Sequence, residues 1–271
     1  MPAPSPAAVR KGYLPGGAGQ IHYRAAGDAG PHVFLLHLTP FSSRQFEACL
    51  PYLARQVQAW ALDTPGYGNS DPPPASTTIE DYAGRMLAAI NAVTSGPFAL
   101  CGLSTGSVIA LEIARRVPGR VSHLVLATTP LMSKQELRHM AAANVGVPAL
   151  QQDGAHVLKA WQGRQGIWGQ DFDKAILNTA TADILTNYDH YHWGLEAVIA
   201  CDVERLLRAV RCPSLFLSGD LDTHTAHNKA SADMVTGSRS EILPGASAPI
   251  SATAPQAYAA RVVSFVKGVA P

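Results

Sequence analysis

At 271 residues, 47% hydrophobic and 15% charged, the chain can bury one large core and is too sparsely charged for a disordered protein. A net charge of +1 gives no electrostatic case for binding nucleic acid or an anionic membrane, and no apolar stretch reaches membrane-spanning length. The four cysteines, Cys49, Cys101, Cys201 and Cys212, lack metal-type spacing, and Met1 to Pro6 lacks the apolar segment of a signal peptide, so a reduced, cytoplasmic setting is expected.

Strands and helices alternate from the start. Gln20 to Arg24 reads as an early strand, Val33 to His37 as a buried one and Ser43 to Ala54 as the helix that follows. Val57 to Asp63 is the next strand and Ile79 to Val93 the next helix. The apolar run Pro97 to Cys101 then enters Gly102-Leu103-Ser104-Thr105-Gly106, a helix-period segment from Ser107 to Arg116 leaves it, and Val121 to Ala127 is another strand. Alternation stops there. From about Leu131 to Arg208 the pattern is helical with Gly and Pro breaks, and Pro213 to Gly219 resumes the sheet. This order predicts an α/β fold with a mostly parallel central sheet flanked by helices. A core from 1–130 and 209–271 would carry a helical cap, 131–208, inserted between sheet strands, over the strand ends where open α/β sheets bind ligands.

A G-x-S-x-G turn between strand and helix is a nucleophile elbow. Glycine at 102 and 106 removes Cβ atoms from a tight turn, and Ser104 can then hold a strained backbone with its hydroxyl outward. The helix that starts beneath it offers free N–H groups and a positive dipole end to a developing oxyanion.

Four further stations accompany the elbow: His37-Leu38-Thr39-Pro40, Asp63-Thr64-Pro65-Gly66-Tyr67-Gly68-Asn69-Ser70, Gly219-Asp220-Leu221-Asp222 and Leu243-Pro244-Gly245-Ala246-Ser247. In this order they resemble the α/β-hydrolase superfamily with a helical cap, and the resemblance covers nearly the whole chain. It implies a serine hydrolase in which Ser104 is the nucleophile and the backbone N–H groups of Thr105 and Thr39 form the oxyanion hole. Leu38 stands where the family usually has glycine, so the loop either reaches the donor geometry without a left-handed glycine or builds the hole differently. His37 is expected to support that loop, and Asp63 to shape its own turn. The family's acid register selects Asp222 over Asp220.

The family's base follows the last strand in a stretch such as Pro-Gly-x-x-His, and that register puts Ala248 in the histidine's place. Three readings stay open: an inactivating His-to-Ala change, a relative that has abandoned hydrolysis and keeps the pocket for binding, or a histidine from elsewhere, such as His37, His192, His224 or His227. His224 and His227 follow Asp222 too closely along the chain for the sequence alone to place them over Ser104.

The expected substrate pocket combines His37, Leu38 and Leu103 with the cap residues Trp161, Trp168, Tyr188, Tyr191, His192 and Trp193. So aromatic a lid implies a small to mid-sized, largely apolar carboxylic ester or lactone. Carbon–carbon bond hydrolysis is the enzymatic alternative and would need Arg164 or Asn187 directed at a dicarbonyl. A non-catalytic small-molecule binding protein is the other. No cofactor is expected, since Gly16-Gly17-Ala18-Gly19 opens no helix. No metal is expected either: Asp189, His190, His192, His224 and His227 match no zinc spacing. The expected partner is a small-molecule substrate, with a homodimer left open.

Overall fold

The computed structural model of the protein describes residues 8–143 and 149–269. Its strands are β1 (Arg10–Pro15), β2 (Gln20–Ala26), β3 (His32–Leu36), β4 (Gln58–Leu62), β5 (Phe98–Leu103), β6 (Val121–Ala127), β7 (Ser214–Gly219) and β8 (Arg239–Leu243). They form one eight-stranded sheet in the order β1-β2-β4-β3-β5-β6-β7-β8. β2 pairs antiparallel with β1 and β4, and the pairings from β4 across to β8 are parallel.

Successive residues of a strand face opposite ways, so buried strands feed two cores at once. On β3, Phe34 and Leu36 enter one core while Val33 and Leu35 enter the other; on β5, Leu100 divides in the same way from Ala99, Cys101 and Leu103. Among the described residues eleven α-helices cover these faces and the strand ends: α1 (Leu50–Leu53), α2 (Ile79–Val93), α3 (Thr105–Arg116), α4 (Lys134–Ala143), α5 (Ala155–Trp168), α6 (Lys174–Thr186), α7 (Trp193–Ala200), α8 (Val203–Arg208), α9 (Thr225–Asp233), α10 (Ile250–Thr253) and α11 (Pro255–Lys267). The first core takes Met86 and Ile90 from α2, Ile109 and Ile113 from α3 and Leu207 from α8. The second takes Leu53 from α1, Ile250 from α10 and Tyr258 and Val262 from α11. Caps mark where helices begin: the Thr78 side chain accepts from the Asp81 N–H at α2, and Asp173 and Asp202 do the same at α6 and α8.

Three departures from expectation have local causes. The helix expected from Ser43 to Ala54 is a 3-10 turn, Ser43–Phe46, followed by α1, because Pro51 brings no N–H and fits only a helix's first turn. β1 is an edge strand whose alternating half-exposed residues pair with β2 in a hairpin. In the block between β6 and β7, α8 packs on α3, and α7 sends Ala197 and Val198 into the first core. The end of the expected cap is thus part of the core, while α5 and α6 pack on each other beyond the strand ends.

The sheet order reverses at β3, which lies between β4 and β5. Loops leaving β3 and β5 therefore part in opposite directions and open a crevice at the strand C-terminal ends, where doubly wound sheets bind ligands.

Candidate active site

Ser104 stands in that crevice. It links β5 to α3 with φ 50 and ψ −115, a left-handed backbone that a non-glycine residue holds only when its surroundings over-determine it. The surroundings do so: the Ser104 N–H donates to the Ala127 carbonyl at 2.9 Å, and the Ser104 carbonyl accepts from the Ser107 N–H at 2.8 Å. A Cβ added at Gly102 would collide with the Gly106 carbonyl, and one at Gly106 with the Leu36 carbonyl. The two glycines let α3 start directly against β3 and β5.

The loop after β3 is held from below. His37 is fully buried; its Nδ1–H donates to the Leu38 carbonyl at 2.8 Å and its Nε2 accepts from the Thr64 N–H at 2.9 Å. That pattern makes the imidazole neutral, in accord with a pKa pushed down by burial against the opposing pull of Asp63 and the Leu38 carbonyl. His37 is thus a buried support and not part of the pocket wall. Among the described residues only Ser104 and Thr128 combine a side chain with positive φ, so Leu38 forms its turn without left-handed backbone. The Thr39 and Thr105 hydroxyls hydrogen-bond each other at 2.8 Å.

Asp63 is buried beneath the same loop and shapes it. Its carboxylate accepts from His22 Nδ1 at 2.8 Å, the Ser43 N–H at 2.6 Å and the Asn69 N–H at 2.9 Å. Burial alone would raise its pKa, but these bonds and His37 bring it down to about 2.

Asp222 is the buried acid and Asp220 is exposed. Asp222 Oδ2 accepts from the Thr128 hydroxyl at 3.1 Å, and Oδ1 accepts from the His224 N–H at 2.9 Å and faces His224 Nδ1 at 3.3 Å. Thr128, with φ 51, occupies the position after β6 and turns its hydroxyl to an acid carried by β7. Sequence reasoning missed Thr128, and also Asn228, whose buried amide joins three segments: Oδ1 accepts from the Thr129 N–H, and Nδ2 donates to the Leu217 carbonyl and to Ser218. The segment carrying Ala248 lies against the acid loop, because Gly219 leaves room for the Ala246 carbonyl, which also accepts from the Leu221 N–H at 3.0 Å.

These elements enclose a cleft of about 240 Å³ walled by Ser104, Thr105, Thr39, Leu38, Ala248 and His224, with Phe41, Arg164, Ile167 and Trp168 towards the cap. The Trp168 ring lies 5.6 Å from Phe41, and the Arg164 guanidinium sits over the same Phe41 ring. The other expected pocket residues lie elsewhere. Leu103 points into the second core, as its place on β5 dictates. Trp161 is half-buried off the cleft wall, and Tyr188 is exposed on the loop after α6. Trp193 packs at a tilt against His190, and His192 is an exposed residue at the rim of a neighbouring cavity that also touches Thr39. Helical spacing in the cap did not predict which aromatics turn inward: α5 brings Arg164, Ile167 and Trp168 to this cleft, and α7 brings Leu195. Among the described residues no three His, Cys, Asp or Glu side chains gather as a metal set, and no helix is long and apolar enough to cross a membrane.

The sequence model of the alpha/beta hydrolase fold family matches residues 31–155. The chain is 34% identical over 97 residues to a pimeloyl-[acyl-carrier protein] methyl ester esterase of Methylococcus capsulatus, an alignment covering 36% of each chain. It is 26% identical to the esterase of the same name from Nitrosospira multiformis, over 76% of this chain and 81% of that one. Among solved structures, the enol-lactonase from Burkholderia xenovorans superposes with a TM-score of 0.80 at 21% identity, over 95% of this chain and 100% of that one. The carboxylesterase CesB from Bacillus subtilis does so with a TM-score of 0.76 at 21% identity, over 98% and 94%. By its sheet order and these likenesses the chain has the α/β-hydrolase fold, residues 31–155 match that fold's family model, and its elbow carries serine.

Proposed function

We propose that the protein hydrolyses a small to mid-sized, largely apolar carboxylic ester or lactone through an acyl-enzyme on Ser104. The observation that carries this reading is a shared cleft: Ser104, Thr105 and Thr39 wall the cavity that Trp168 and Phe41 line with aromatic surface. An ester carbonyl set there would meet the Ser104 hydroxyl on one side and backbone N–H donors on the other, where each donor stabilises the oxyanion by about 3 kcal/mol. Relatives named for methyl ester and lactone hydrolysis support the same class. Hydrolysis of a carbon–carbon bond would rest on Arg164, which walls the cleft, since the Asn187 amide is occupied by the Pro40 and Asp183 carbonyls. We also place the protein in the cytoplasm, a reading supported by its four free cysteines.

The test is covalent labelling by a fluorophosphonate with peptide mapping, beside turnover of p-nitrophenyl acetate, butyrate and decanoate. Label on the Ser104 peptide and turnover that vanishes in Ser104→Ala are expected. A probe that reacts elsewhere, with tight apolar-ligand binding and no Ser104-dependent turnover, would make the chain a hydrolase-like binding protein.

A further inference from the structure

We propose that His224 supplies the general base and acid that position 248 lacks. The inference rests on Ser104 being the nucleophile and adds the group that moves its proton.

Three observations converge. First, Asp222 Oδ1 is committed to residue 224, accepting its backbone N–H at 2.9 Å and facing its Nδ1 at 3.3 Å, while Oδ2 is held by Thr128. A buried acid with both oxygens fixed in this way presents its charge to the His224 ring. Second, the ring's Nδ1 edge is turned to Asp222 and to the Thr223 hydroxyl at 3.2 Å, so Nε2 is the nitrogen left for a reacting group. Third, His224 walls the same cleft as Ser104, beside Ala248, and keeps 29% of its side chain exposed. A methyl group at 248 leaves a second imidazole room to approach the serine. The 3.3 Å contact is long for a charge-assisted bond, as such contacts often are before substrate closes the site.

Geometry separates His224 from the other histidines. His227 Nδ1 faces the Leu131 carbonyl at 3.1 Å, His192 pairs with Glu196 on the surface, and His37 has both ring nitrogens occupied. The position of His224 is fixed by its neighbours: it precedes the first turn of α9, where the Thr225 hydroxyl donates to the Gly219 carbonyl at 2.7 Å and Asn228 anchors the helix to β7.

The chemistry balances with these groups alone. As Ser104 Oγ bonds to the ester carbonyl carbon, its proton passes to His224 Nε2, and Asp222 stabilises the imidazolium. The imidazolium returns that proton to the leaving alkoxide as the C–O bond breaks. Water then attacks the acyl-enzyme, giving its proton to Nε2, and Ser104 leaves with it.

Kinetics of the purified chain on p-nitrophenyl acetate test this. Ser104-dependent turnover is expected with alanine at 248. His224→Gln should lower kcat by about 100-fold or more, the scale of losing a triad base, with KM within about threefold. Imidazole in the buffer should restore part of the turnover of His224→Ala, and His227→Gln should match the parent. Circular dichroism checks that each variant folds. His224→Gln within about twofold of the parent overturns the proposal while Ser104 keeps its role. An inert parent that gains turnover in Ala248→His also overturns it, and marks alanine at 248 as the inactivating change. If neither chain turns over and no probe labels Ser104, both readings fall together.

Discussion

The Thr39 and Thr105 hydroxyls meet at 2.8 Å and tie the loop after β3 to the first residue of α3. The two threonines carry the backbone N–H groups proposed to hold the oxyanion, and in that reading the bond fixes one donor relative to the other. Gly194 on α7 makes room for it, since a Cβ there would overlap the Thr39 side chain.

Thr39→Val removes this bond while keeping the shape of the residue. We expect kcat on p-nitrophenyl esters to fall by about tenfold with KM little changed, because small displacements of oxyanion donors cost mainly transition-state binding. Gly194→Ala should act in the same direction by pushing Thr39 from above. An unchanged kcat in both variants would place the oxyanion donors elsewhere.

Asp222 and Asp220 differ in burial and partners, and their variants should differ accordingly. In the active enzyme, Asp222→Asn should lower kcat by about 10² to 10⁴, because an amide can face the imidazole in the wrong tautomer and cannot stabilise its charged form. Asp220→Asn, on an exposed side chain, should stay within about twofold. Steady-state kinetics on one substrate ranks the two, and the reverse order would shift the acid by two residues.

Much of this site was legible before the structure. The elbow could be read because G-x-S-x-G between an apolar run and a helical period admits one local geometry, and the resemblance to the family's acid register pointed to Asp222, which is buried. The parallel sheet followed from alternating periods. What escaped depends on where side chains point once loops meet. Thr128 and Asn228 act across 94 and 99 residues of chain, separations over which no periodicity speaks. His224 lies two residues from Asp222, too close along the chain for the sequence alone to place it over Ser104; in the fold it walls the same cleft as Ser104. The cap aromatics have a related cause: their spacing marks them as helical, and α5 and α6 packing against each other decides which face is inward.

Asp63 links acid stability to the turns at Ser43 and Asn69 that it holds. Its folded pKa, about 2, lies below the ordinary carboxylate value, so its stabilisation is present above pH ~4 and is lost as pH falls towards 2. Thermal unfolding monitored by circular dichroism should show Tm falling steeply across that window. In Asp63→Asn the neutral Tm should be lower and the acid limb flatter. A parallel pair of curves would assign the acid limb to other carboxylates.

Asp183 should impose the opposite pH dependence on the contact between cap and core. It is buried on α6, where its Oδ2 accepts from the Ser42 hydroxyl at 2.8 Å and its Oδ1 lies 3.6 Å from Arg44 Nη1. Burial raises its pKa to about 6 in spite of both partners. A folded pKa above the unfolded value means that Asp183 contributes stability fully below pH ~4, and that this contribution is lost as pH rises through 6. The shift of about two units corresponds to roughly 3 kcal/mol. Asn at 183 mimics the protonated acid: its carbonyl still accepts from Ser42, and the pair it gives up with half-exposed Arg44 is screened by solvent. Asp183→Asn should therefore match the parent near pH 4 and exceed it at pH 8, by several degrees in Tm for a chain of this size. Urea titrations at the two pH values measure the same difference as free energy. A variant that loses stability at pH 8 would mean that the carboxylate is ionised and favourably paired there, with Arg44 holding the cap to the core as a salt bridge.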